Sequence, residues 1–165
     1  MRFVFLIILI LSLLTGCGLE EPVSKVESGV ENEQKESPEQ TFGVGDVVKI
    51  GETELIIKSV SFRNGDPYVP PKKGKVLELE IEGKNNGSRS WFLSDGDFNL
   101  YDKEGRKLDQ YFSIDDQSLT GEVNQGKTTK GKIFYDVAES DRYELIYKPN
   151  FLTDQEIKFD IVPSK

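Results

Sequence analysis

The chain has 165 residues, enough for one domain, and carries a formal charge of -8 with a pI near 4.7. That acidity argues against nucleic acid as the partner. With no histidine and a single cysteine, His-based triads, a Cys-His dyad, zinc fingers and an internal disulfide are excluded.

The chain opens with Met1-Arg2, a short positive start, followed by the apolar run from Phe3 to Leu14. Twelve helical residues span about 18 Å, against roughly 30 Å of bilayer hydrocarbon. The run is too short to cross a membrane comfortably and has the length of a secretory signal core. Leu14-Thr15-Gly16-Cys17 comes next and resembles the lipobox of bacterial lipoproteins, in which the cysteine receives a diacylglycerol and the signal is cut before it. Residues 1–16 are therefore expected to be a lipoprotein signal peptide and Cys17 the lipid attachment site, a thioether-linked, palmitate-bearing N-terminus. The alternative is an ordinary cleaved signal with an incidental thiol. Two or three acyl chains, at about 0.8 kcal/mol per buried CH₂, would hold the protein at the membrane essentially permanently.

From Gly18 to Gln40 the sequence holds seven Glu, two Lys, two Pro and no aromatic residue. It lacks a periodic apolar stripe, so residues 17–40 are expected to form a disordered acidic tether. A flexible chain of this length spans about 26 Å, and its charge repels an anionic surface, so its expected role is stand-off distance.

Residues 41–165 differ, with an apolar period of two. Val76 to Glu82 alternates Leu77, Leu79 and Ile81 with Glu78, Glu80 and Glu82, the clearest amphipathic strand in the chain. Further strands are expected over 46–50, 54–62, 98–101, 132–137, 143–147 and 156–162, with at most one helical turn near 115–120. Asn64-Gly65, Asn86-Gly87, Asp95-Gly96, Glu104-Gly105 and Gln125-Gly126 supply turns between them. Short strands punctuated in this way, with no helical stretch, predict an all-β fold, an antiparallel sandwich of about seven to nine strands.

Several of these segments, taken in order, carry a resemblance. They are Phe42-x-Val44-Gly45-Asp46, Gly51-x-Thr53-x-Leu55, Lys72-Lys73-Gly74-Lys75 before the long strand, and Lys84-Asn85-Asn86-Gly87. Asp97-Phe98-Asn99-Leu100-Tyr101-Asp102-x-x-Gly105, Gly126-x-Thr128-x-x-Gly131 and Tyr143-Glu144-Leu145-Ile146-Tyr147 complete the series. The pattern resembles the domain of unknown function 4352 family over about residues 41–162, with Gln125 where a proline would be typical. The resemblance implies an immunoglobulin-like sandwich and, with the lipobox, a lipid-anchored protein on the extracytoplasmic side of the cell membrane of a Gram-positive bacterium. It implies no functional residues.

Candidate sites are few. A Ser-Lys pair at Lys58-Ser59 lies inside a strand, where neighbours face opposite ways. Asp95, Asp97 and Asn99 match the first ligands of a calcium loop, but its sixth and twelfth positions fall on Leu100 and Arg106, which neither turn nor ligate. Asp115-Asp116 is a second acidic pair, better read as a turn. Asp95, Asp97, Asp115 and Asp116 are thus weak calcium candidates; no cofactor or metal and no catalytic residue is expected. Trp91 is expected to pack between the sheets beside Phe92.

The thirteen residues from Phe62 to Gly74 join two strands and exceed what a hairpin needs. Pro70 and Pro71 would stiffen the loop and present Tyr68 to a partner at low entropic cost; a crossover between sheets would also need the length. Lys72, Lys73 and Lys75 could join Lys127, Lys130 and Lys132 in a cationic patch, or all could be solvated strand ends. The expected function is a monomeric, non-catalytic interaction or envelope-accessory module meeting an envelope protein or polymer, with binding of calcium or a small ligand as the alternative.

Overall fold

The structure is a computed structural model and describes residues 23–25, 40–114, 117, 119–149 and 156–164. Two residues or three make the strands β1 (Val23–Lys25), β2 (Thr41–Phe42), β6 (Trp91–Leu93) and β8 (Gly121–Val123). Longer ones are β3 (Val47–Ile50), β4 (Thr53–Arg63), β5 (Lys75–Asn85), β7 (Phe98–Tyr101), β9 (Thr128–Val137), β10 (Tyr143–Tyr147) and β11 (Ile157–Ile161). A five-stranded sheet runs β1-β3-β4-β5-β9, a four-stranded one β2-β11-β10-β7, and β6 pairs with β8.

The long hairpin β4/β5 and the β5/β9 pair form the spine of the first sheet. In β5, Leu77, Leu79 and Ile81 are fully buried while Glu78, Glu80 and Glu82 face outward, as the alternation predicts. They meet Phe98, Leu100, Leu145 and Phe159 of the second sheet in one core. Each such side chain contributes roughly 1.5–3 kcal/mol by leaving water. The Tyr135 hydroxyl of β9 crosses the core to donate to the Phe98 carbonyl at 3.0 Å. Phe98 in turn stacks on Tyr147 with ring centres 4.5 Å apart.

The β6/β8 pair lies on the inner side of the first sheet, where two glycines make room for it. A Cβ on Gly83 would come 2.8 Å from Leu93 and 2.9 Å from Trp91, and one on Gly131 would come 2.4 Å from the Leu119 backbone. Trp91 is buried there as expected, but Phe92 is not its companion: as the middle residue of β6 it points outward and is exposed.

The sandwich is as expected; three details differ. Eleven strands are present among the described residues rather than seven to nine, because pieces of two or three residues are too short to show a period. Not every pairing is antiparallel: β2 runs parallel to β11, pairing Thr41 with Lys158 and Phe42 with Phe159. The first and last strands of the domain arrive from opposite ends of the chain, which leaves their mutual direction unconstrained by any hairpin. The tether is not wholly disordered, since Val23–Lys25 pairs antiparallel with β3, setting Val23 opposite Ile50, Ser24 opposite Lys49 and Lys25 opposite Val48. An edge strand offers unpaired backbone groups to any nearby extended segment, whatever its composition. Cys17 and the signal lie outside the described residues.

Candidate functional site

The strands at either end of the Tyr68 loop, β4 and β5, are neighbours in one sheet, so the loop is not a crossover between sheets. Its extra length folds back over the outer face of that sheet. There Val76, Phe134 and Tyr111 form a small second core, separate from the main one. Arg63 lies over the Phe134 ring at 5.2 Å and ion-pairs with Glu78 at 3.3 Å.

Two side chains outside the loop hold it in place. Tyr111 sits beside β9, where its N–H donates to the Phe134 carbonyl at 2.7 Å. Its hydroxyl accepts from the Asp66 N–H at 2.7 Å and donates to the Val69 carbonyl. Asp136, buried on β9, accepts the Lys72 N–H at 2.7 Å through one carboxylate oxygen and the Lys73 N–H at 2.8 Å through the other. Hydrogen bonds to a charged acceptor are worth about 1.5–3 kcal/mol each.

Inside the loop, Asp66 closes a tight turn. Its side chain accepts the Tyr68 N–H at 2.9 Å and its carbonyl the Val69 N–H at 3.1 Å. Gly65 packs so closely on Pro71 that a Cβ would lie 2.2 Å from the Pro71 ring. At the tip Tyr68 is 89% exposed, the most exposed large apolar residue among those described, with Val69 and Pro70 beside it and Pro71 half-buried. The structure thus brings Tyr68 and Pro70 to one surface and turns Pro71 inward as a strut.

Neither Tyr111 nor Asp136 is marked by any motif. One signal was present: Lys132 to Val137 holds Phe134 and Asp136 at the outward positions of a strand whose inward positions are already apolar. A large aromatic facing outward mid-strand signals a face that is covered on both sides.

The other candidates separate. Asp95–Asp97 forms a single 3-10 turn in which the Ser94 side chain accepts the Gly96 N–H. The Asp95 carboxylate accepts the Thr120 hydroxyl at 2.8 Å. Asp97 is nearly buried; desolvation pushes its carboxyl up, the negative Asp95 adds to this, and a hydrogen bond from the Ser94 backbone opposes it. Among the described residues no three Asp, Glu, Cys or His side chains gather as a metal site. Asp115 and Asp116 lie outside the described residues.

The cationic patch does not form. Lys75 pairs with Val137 at one end of β5/β9, whereas Lys127 precedes β9 at the other. Lys130 and Lys132 are matched to Glu82 and Glu78 at 3.1 and 2.6 Å. Ser59 sits at a bulge in β4, its hydroxyl 3.4 Å from Glu80.

Comparison with solved structures returns β proteins of the same fold. The candidate lipoprotein ycdA of Bacillus subtilis superposes with a TM-score of 0.60 at 23% identity, over 68% of this chain. The chain spans only 37% of that protein's length. The yjhA protein of Bacillus subtilis matches with a TM-score of 0.57 at 22% identity, over 75% of this chain and all of its own. No curated protein matches. Residues 42–157 match the family model described as a domain of unknown function, DUF4352, and the chain belongs to that family.

Proposed function

We propose that this protein is a lipid-anchored, extracytoplasmic, non-catalytic interaction module that meets an envelope protein or polymer through the Tyr68 loop. The observation that supports this reading is the loop's construction. Five backbone N–H groups, those of Asp66, Tyr68, Val69, Lys72 and Lys73, are held by hydrogen bonds, while the Tyr68 ring at the tip touches nothing that would bury it. A rigid aromatic on a fixed loop loses little entropy when it is covered, which is what a contact residue needs.

Anchoring rests on Leu14-Thr15-Gly16-Cys17 after the short apolar run. Cys17→Ser is expected to move the protein from the membrane to the soluble fraction and to abolish palmitate incorporation. For the loop, a photo-crosslinking residue at position 68 in intact cells is expected to give a discrete adduct, with none from the same residue at position 104. Equal patterns from the two positions would contradict the loop's role.

A further inference from the structure

The strand β1 lies at the opposite end of the sandwich from Tyr68, and this gives the molecule a direction. Val23, where β1 begins, pairs with Ile50, which pairs with Thr53 at the start of β4. The same end carries Lys84 opposite Thr128 and the Asn85 N–H bonded to the Lys127 carbonyl. At the other end Arg63 pairs with Val76, Lys75 pairs with Val137, and the Tyr68 loop begins. The eleven residues of β4 separate the two ends by about 35 Å.

We infer that β1 acts as a strap that sets the protein's orientation, keeping the Thr53 end near the bilayer and the Tyr68 loop facing away from it. This rests on the acylation of Cys17 proposed above. Only Gly18 to Pro22 lie between Cys17 and Val23. Six steps of fully extended chain reach about 20 Å at most. With β1 paired, the near end therefore cannot leave the membrane surface by more than that. Without β1, the leash would run from Gly18 to Gln40, 23 residues in place of five, and either end of the body could approach the bilayer. The strap thus shortens the tether whose length alone suggests free stand-off. It also specifies the partner's place: Tyr68 addresses a protein or polymer farther out in the envelope, not the lipid surface.

The test uses the full-length acylated protein in vesicles carrying an acceptor-labelled phospholipid, with a fluorescent residue at Lys127 or at Lys73. Energy transfer to the membrane is expected to be stronger from position 127 than from position 73. In a V23P/S24P double variant the difference is expected to collapse. Two successive prolines are needed because, of two neighbouring N–H groups in a strand, one faces β3 and the other faces away. Unchanged amide exchange in β4 and β5 would show that the variant still folds. Equal transfer from both positions in the unaltered protein, stronger transfer from position 73, or a difference that survives the prolines would each overturn the inference. Absence of palmitate on the mature chain would overturn the anchor itself, a failure readable separately from the other three.

Discussion

The outer face of the five-stranded sheet has two halves built in different ways. Toward Glu82 it is open to water, and Glu82–Lys130 and Glu54–Lys84 pair across it at 3.1 and 3.8 Å. Toward Val76 the same face is roofed by the Tyr68 loop, with Phe134 and Val76 beneath it and Asp136 and Tyr111 as fasteners. The open half shows what a sheet face needs for solubility. The roofed half shows that apolar and buried polar groups were placed outward to hold a loop, and a loop held so firmly is the reason Tyr68 is displayed and not merely loose.

That contrast can be broken at the roofed half with the largest effect. Asp136→Ala removes the acceptor of two backbone N–H groups and should lower stability by about 3 kcal/mol, read by urea unfolding. It should also open the chain beside Lys72 and Lys73 to trypsin, which a general loss of stability alone would not localise. Tyr111→Phe keeps the ring in the small core but deletes both hydroxyl bonds, and about 1–2 kcal/mol is expected to go in the same assay. On the open half, Glu82→Ala should change stability by less than about 1 kcal/mol, since exposed ion pairs contribute little and salt screens them. If Glu82→Ala cost as much as Asp136→Ala, the distinction between the halves would fail.

The smallest effect has a sign that depends on pH. Burial raises the Asp97 carboxyl above its ordinary value, so the folded chain holds this proton more tightly than the unfolded one. Between the ordinary carboxylate value and the raised one, stability therefore falls as pH rises. Asp97→Asn is expected to raise the melting temperature at pH 7, with the gain shrinking as the pH falls through the raised value and Asp97 takes up its proton. A gain that grew on acidification would contradict the burial of this carboxyl.

How far the sequence foretold these features depends on how local they are. The Leu77-Leu79-Ile81 face needs only one strand's alternation, and it is read correctly. The same holds for the turns and for the unusual length of the 62–74 loop. What closes that loop is remote: Tyr111 lies 45 residues from Asp66, and Asp136 lies 64 from Lys72. No local pattern pairs such positions. β1 escaped notice for a different reason, because three residues in an acidic, proline-broken segment have no pattern of their own and gain their form from the edge of β3. The placement of Gly83 beneath Trp91 and of Gly131 beneath Leu119 was likewise invisible, since a glycine in a strand reads as a weakness until the group filling its space is known.

The most direct measurement is amide hydrogen exchange at Lys72 and Lys73. Both residues are exposed, yet their N–H groups are bound to a buried carboxylate. Slow exchange at these two amides in the unaltered protein, lost in Asp136→Ala, is the predicted result. Exchange at the rate of an unstructured chain would mean that the loop is not held and that Tyr68 is displayed by nothing.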